Sequence, residues 1–255
     1  MTTPSTSPFH LRPAKPTPTD HAFILSAFDS SLPFLASIGS LDQWGKTPFS
    51  QRGDFAEATL KELNYSEEFR LTGTSGLDSN LRMFISEREL HQQHDDGQLQ
   101  AEFVRVTPDG RRFLPVGVAY VRENWVPTYV KTQTHLPMPD VNHGGGGFLY
   151  LEVMVTDNRE DRRELSRGAG AALIRGIREY GEARGMRALW VDGWAGNERK
   201  LISCIWFTPR LASTVGKLAG HAMMTTDTIY LSFNASQLQE TWPKLPGQLS
   251  TALPH

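Results

Sequence analysis

The sequence predicts an α/β fold built on one mixed sheet, and three observations lead there. Strand-like segments, Arg82–Glu87, Glu102–Val106 and Phe113–Arg122, come first. An apolar strand, Phe148–Thr156, is then followed by an amphipathic helical run and by a second apolar strand, Arg187–Asp192. That strand–helix–strand order is how a chain crosses over a sheet to lay two strands parallel. Finally, 255 residues can bury one substantial core, so one domain with appendages is the expected organisation.

The elements follow in chain order. Residues 1–8 form a lead-in rich in Pro, Ser and Thr, and Phe9–Ala14 is expected to pair into the sheet. Asp20–Ile38 reads as helix, with Pro33 predicting a kink or a break into two shorter helices. A turn-rich stretch with Trp44, Gly45 and Pro48 precedes a second helix over residues 53–64. Arg82–Glu87 alternates as a strand does, and Glu102–Val106 and Phe113–Arg122 flank the hairpin turn Pro108-Asp109-Gly110. Ala169–Arg184 is helical: Leu173, Ile174, Ile177 and Tyr180 recur at helical spacing, charges take the opposite face, and Gly185 stops the run. In the last segment, 208–255, Thr226–Phe233 reads as one strand and the rest as tail.

Function is written most clearly in Ser166-Arg167-Gly168-Ala169-Gly170-Ala171-Ala172, which opens the helix after the strand Phe148–Val155. Glycines and alanines let a ligand approach the backbone, and the first turn of a helix offers free N–H groups at its positive end. A phosphate-bearing cofactor is the ligand this arrangement attracts. A P-loop is excluded because no Lys-Ser or Lys-Thr pair stands at the required place. A dinucleotide-binding unit needs a third glycine, where this chain has Leu173, and needs the glycines directly after the strand, whereas residues 156–167 intervene. Asp192, at the end of the next strand, keeps a nicotinamide-dependent oxidoreductase open as an alternative.

The third reading is coenzyme A. The run Leu165-Ser166-Arg167-Gly168-Ala169-Gly170 resembles the diagnostic Arg/Gln-x-x-Gly-x-Gly/Ala segment of the GNAT N-acetyltransferase family. Phe9–Ala14, Asp20 and the helical run His21–Phe28 resemble the family's opening strand, Asp and first helix. Leu189–Asp192 resembles its fifth strand, and Asn197 falls where the family often starts the next helix. The resemblance implies a mostly antiparallel central sheet flanked by helices, with acyl-CoA bound at splayed middle strands. It places such a domain over residues 9–207, followed by a divergent segment, 208–255.

The resemblance further implies acetyl transfer from acetyl-CoA to a primary amine, on a small molecule or a protein. The pyrophosphate would lie on Gly168, Ala169, Gly170 and Ala171, and the pantetheine arm on the backbone of Val153, Met154 and Val155. Asn197 would contact that arm or cap the next helix. Leu165 stands where the family has Arg or Gln, so a side-chain contact to phosphate falls instead to Arg163 and Arg167. The family's usual Tyr acid has no counterpart; Cys204 and Ile205 stand near its place. Impaired activity, in a weakly catalytic acyl-CoA-binding or interaction protein, is therefore a second alternative.

Transfer to an amine also needs a base. Glu152 is the one carboxylate within Phe148–Val155, and strict alternation would set it opposite Leu151 and Val153. A half-buried carboxylate holds its proton to higher pH, which suits a base near neutrality. The competing reading is a solvent-facing Glu on the polar side of a strand. Trp44 is either a wall of the acceptor site or a buried pin for its loop.

Other motifs read as surface. His143 with Gly144–Gly147 lacks the Gly-x-Ser-x-Gly elbow an esterase needs, and His91–Asp96 has no partner cluster for a metal. A net charge of −2 with no basic block gives no reason to expect a nucleic-acid partner. No run of apolar residues reaches membrane-spanning length. A single cysteine fits a reducing compartment, so the cytoplasm is expected, with the nucleus as the other option.

Overall fold

The computed structural model describes residues 7–73, 80–90, 102–131, 147–194, 219–224 and 228–234, with backbone only from 192 onward. Eight strands form one sheet: β1 (Phe9–Pro13), β2 (Leu81–Leu90), β3 (Arg105–Val106), β4 (Arg112–Glu123), β5 (Phe148–Thr156), β6 (Ala188–Trp194), β7 (Ala219–Met224) and β8 (Thr228–Asn234). The helices are α1 (Pro18–Ser37), α2 (Phe55–Thr72), α3 (Thr128–Lys131), α4 (Arg163–Ser166) and α5 (Ala169–Ala183). The strand order is β1-β2-β4-β5-β6-β8-β7, with β3 paired to β4. Among the described strands only β5 and β6 run parallel, joined by the α4–α5 crossover; the other pairs are antiparallel. The mixed, mostly antiparallel sheet flanked by helices is thus present.

Helices cover both faces of the sheet. On one, Phe23, Ile24, Ala27 and Phe28 of α1 and Leu63 of α2 meet Leu81, Met83 and Ile85 of β2, Val118 and Tyr120 of β4, and Val155 of β5. On the other, Leu173 and Ile177 of α5 meet Phe84, Ala119, Val121, Leu149 and Leu151. The 2-residue period of the strands sorts the side chains between these two cores. Crossover helix and strand edge approach closely: a Cβ built at Gly176 would lie 2.5 Å from Leu11 Cδ2, so only glycine lets α5 lie over β1 here.

Several boundaries differ from the sequence expectation. Helix α1 starts at Pro18 behind a Thr17 cap, whose hydroxyl accepts from Asp20 N at 3.3 Å. It runs through Pro33 as one helix, because Leu32 and Leu35 on either side are buried in the first core. Helix α2 continues eight residues beyond Asn64 and stops at Gly73, which takes φ +65°. Its buried face holds Thr59, Leu63, Ser66 and Phe69, and the two hydroxyl residues hide the apolar period that would have revealed it. Of the expected strand Glu102–Val106 only Arg105–Val106 pairs. In the last segment the strand β8 begins two residues later than Thr226, and β7, which was not expected, pairs beside it.

Candidate functional site

The centre of the sheet opens between β5 and β6. Phe148–Leu151 pair with Ala188–Val191 and the pairing ends there, although β5 continues to Thr156 and β6 to Trp194. β6 stays paired to β8 along its whole length, and β5 stays paired to β4. Beyond Leu151 the β6-facing backbone of β5 therefore has no strand partner among the described residues. This places Val153, Met154 and Val155 on an open strand edge, able to hydrogen-bond an extended ligand.

A β-bulge sits where the opening begins. Tyr120 pairs with Val153 and Val121 with Leu151, so Glu152 is the extra residue of β5. The bulge corrects the alternation expected from sequence. Leu151 packs toward α5 and Val153 toward α1, and Glu152 shares the Arg122 side of the sheet. Without the bulge Val153 would follow Leu151 onto the α5 face.

The glycine turn lies against the same edge. Gly168 takes φ +95° and caps α5, and its carbonyl accepts the first helical bond from Ala172 N at 3.0 Å. Gly170 borders Met154 Cε and Thr156 Cγ2, each 3.9 Å from where its Cβ would stand. The N–H groups of Ala169, Gly170 and Ala171 lead the helix, as unbonded first-turn donors do. Ala169 itself is buried against Leu90, Leu114 and Val116 and anchors the turn. The Ser166 hydroxyl beside it is buried without a hydrogen-bond partner among the described residues.

These features set two substitutions apart. Gly168→Ala would force a Cβ into a left-handed backbone and to 3.3 Å from the Phe9 ring, costing about 1–2 kcal/mol. Gly170→Ala meets ordinary van der Waals distances and should be close to neutral. Thermal unfolding of the two variants checks this; equal melting temperatures would contradict the turn geometry.

The arginines divide. Arg159 is bound to buried Asp157 (Nη2 to Oδ2, 2.6 Å), and Arg162 is buried with its Nε 3.0 Å from Asp161 Oδ2. Both are structural. Arg163 and Arg167 are exposed, flank the turn and form no ion pair with a described residue. Trp44 packs on Phe28 and Phe49, and its carbonyl accepts from Arg52 Nη2 at 2.5 Å, so it pins its loop.

At the mouth of the opening, α2, β4 and β5 bring together a group the sequence does not reveal. Arg122 Nε donates to Glu152 Oε2 at 2.6 Å, and the guanidinium also lies 4.5 Å over the Trp125 ring. Glu62 of α2, half-buried and without a hydrogen bond or ion pair to a described residue, lies within electrostatic reach of both. Burial, then the Glu152 charge, push its carboxyl up to about 7, with Arg122 opposing. The buried hydroxyls of Tyr120 and Thr59 lie close together in the same group, neither in a well-formed hydrogen bond. Burial first, and the Glu62 and Glu152 carboxylates after it, raise the Tyr120 phenol well above its usual value.

Asn197, Cys204, Ile205, His91–Asp96 and His143–Gly146 lie outside the described residues. Among the described residues no three His, Cys, Asp or Glu gather as metal ligands, and no helix is long and apolar enough to cross a membrane.

No family model and no curated protein matches this sequence. Solved structures of similar outline do. An apo nucleotide-linked-sugar GNAT, FdhC, aligns at TM-score 0.48 and 13% identity over 91% of this chain and 89% of its own. The aminoglycoside acetyltransferase AAC(6')-Ib, in complex with ribostamycin and coenzyme A, aligns at TM-score 0.48 and 14% identity over 93% and 99%. NAA60 of Arabidopsis thaliana, in complex with acetyl-CoA, aligns at TM-score 0.43 and 13% identity over 89% and 99%.

Proposed function

We propose that the chain is an acetyl-CoA-dependent N-acetyltransferase acting on a primary amine. The observation that carries this reading is the adjacency of three things: an unpaired edge on β5, a glycine turn opening α5 beside that edge, and a carboxylate group at its upstream end.

The residues present fit acyl-CoA. The N–H groups of Ala169, Gly170 and Ala171 and the positive end of α5 suit a pyrophosphate, with exposed Arg163 and Arg167 available to further phosphate oxygens. The buried Ser166 hydroxyl, without a partner, supplies one more hydrogen-bonding group at that end. Val153, Met154 and Val155 offer strand-edge amides and carbonyls to the amide-bearing pantetheine arm. Bound acetyl-CoA supplies a thioester, an acyl group activated toward attack by nitrogen.

The chain's own part is then positional and electrostatic. The strand edge holds the arm along β5 and directs its reactive end toward Glu152, where the edge begins. Carboxylates there attract an ammonium and can take its proton, without which the nitrogen has no lone pair for attack. Arg122 cancels one of the two negative charges, leaving a net preference for a single cation. The amine itself, on a small molecule or on a protein, is not specified by these groups. A cytoplasmic location belongs to the same proposal.

Titration of the full-length chain with acetyl-CoA, CoA and NAD in parallel, followed by thermal unfolding, tests the reading. At a hundred times the dissociation constant a ligand adds about 2.7 kcal/mol of stability. Stabilisation by acetyl-CoA and CoA but not by NAD is expected. A shift with NAD alone would replace this reading by the oxidoreductase, and no shift at all would end it.

A further inference from the structure

Two carboxylates meet at the mouth of the opening, and their surroundings differ. Glu152 is fixed by the Arg122 Nε–H on Oε2. Glu62 makes no bond to any described residue, yet it is half-buried on α2 one turn from Thr59, whose hydroxyl is buried with Tyr120. The Tyr120 side chain is 4% exposed, and its hydroxyl lies beside that of Thr59 and within electrostatic reach of Glu62 without a well-formed hydrogen bond among the described residues. An unbound carboxylate, an unmet hydroxyl and a strand edge that opens beside them point to a ligand nitrogen.

We propose that Glu62 accepts the proton of the acceptor ammonium, while Arg122 holds Glu152 beside it as a positioning carboxylate. The proposal rests on the acetyltransferase reading and assigns the proton acceptor within it. The ammonium gives one proton to the Glu62 carboxylate, and its nitrogen keeps the electron pair. That nitrogen forms the new C–N bond to the acetyl carbon, and the C–S bond breaks with its electrons going to sulfur. The second nitrogen proton leaves through solvent, and the thiolate takes one up, so the products are the amide and the free thiol. Glu62 returns its proton to solvent before the next turnover.

The groups that face Glu62 set its proton affinity. From β4 these are Tyr120 and Arg122, and from β5 Glu152. On α2, Thr59 stands one turn before it, while Lys61 lies over the Tyr65 ring and Glu67 is paired with Arg70, so neither charge is engaged with Glu62. The other charged groups packed against α2 are engaged away from Glu62: Arg82 of β2 donates to the Ser66 carbonyl, and His21 Nε2 of α1 lies 2.8 Å from the Ala56 carbonyl. Glu152 favours the protonated form and Arg122 the ionised one. Removing each partner therefore moves Glu62 in a known direction, which a purely structural role would not require.

The test uses the full chain and two readouts. In the first, side-chain-labelled glutamate is titrated by 13C NMR without any ligand. One carboxyl should titrate near 7 and vanish in Glu62→Gln; it should move down in Glu152→Gln and up in Arg122→Met. In the second, acetyl transfer from acetyl-CoA to spermidine, tryptamine, a lysine peptide and a free-amino-terminus peptide is followed against pH. Glu62→Gln should lower kcat/KM by about a hundred-fold or more and abolish the acidic limb, with acetyl-CoA binding retained. Glu152→Gln should lose less and keep the limb, displaced to lower pH.

A Glu62→Gln variant that keeps both rate and limb, or a Glu62 carboxyl that titrates as an ordinary one, overturns the proposal alone. A loss of the limb in Glu152→Gln instead would make Glu152 the proton acceptor. If the wild-type chain neither binds acetyl-CoA nor acetylates any of the four amines, the underlying reading falls and this assignment falls with it.

Discussion

Replacing Glu62 by Gln is expected to stabilise the folded chain at alkaline pH while leaving it nearly unchanged in acid. The folded-state carboxyl is raised from 4.5 to about 7, chiefly by burial and then by the Glu152 charge. A group raised in this way binds its proton more tightly folded than unfolded. Its contribution is fully present below the unfolded value near 4.5 and is lost as pH rises through about 7. At 1.36 kcal/mol per pH unit the full cost of ionising Glu62 in place approaches about 3 kcal/mol, and solvent at this half-buried site brings it to about 2–3.

Glutamine fills the same space with no charge to desolvate. The variant should therefore gain about 2–3 kcal/mol over wild type at pH 8.5 and under about 1 kcal/mol at pH 5. For a chain of this length that corresponds to a melting temperature higher by roughly 5–10 °C at the alkaline pH. Urea denaturation at both pH values reads it directly. An identical gap at pH 5 and pH 8.5 would show that Glu62 is not perturbed. A site residue that costs stability in place is also what a stability–activity trade-off looks like.

The second large effect lies at the β1 edge of the sheet. Arg12 of β1 holds Asp20 with two bonds, Nη1 to Oδ2 and Nη2 to Oδ1, each 2.7 Å, and its Nε lies 2.5 Å from Glu87 Oε1. Asp20 also accepts from Lys15 N at 2.8 Å, which fastens the turn between β1 and α1. Glu87 is fully buried in β2 and shares its second oxygen with Arg105. One guanidinium thus ties the edge strand, the first helix and the neighbouring strand together.

Arg12→Met keeps the side-chain volume and leaves two buried carboxylates short of their cation. Breaking a buried pair in this way costs about 3–5 kcal/mol, because the abandoned charge stays desolvated. The double variant Arg12→Met, Glu87→Gln should recover part of that loss, since the orphaned charge is gone. Urea midpoints of the two variants decide it. A loss under about 1 kcal/mol for Arg12→Met would mean that the network contributes position without stability.

Much of this molecule is legible in its sequence because the signals are local. The glycine turn announces itself through Gly168 and Gly170, and its conformation is one that only glycine reaches cheaply. The period of Leu173, Ile174, Ile177 and Tyr180 marks α5, and Pro108-Asp109-Gly110 marks a hairpin whose Gly110 takes φ +81°. The length of α2 is less legible, because Thr59 and Ser66 occupy buried positions where an apolar residue would have continued the pattern.

The chemistry of the site belongs to the tertiary structure. In the sequence Glu62 is one glutamate among Glu57, Glu67 and Glu68 on a single helix, and nothing local distinguishes it. Its proton affinity comes from burial under the sheet and from a carboxylate on β5. The bulge at Glu152 is likewise invisible in sequence, since it is fixed by the register between β4 and β5. The sequence by itself determined the elements and the turn, which depend on residues within a few positions of one another. Only the tertiary structure decided which carboxylate stands without a partner among the described residues, because desolvation and through-space charge depend on distances that folding alone creates.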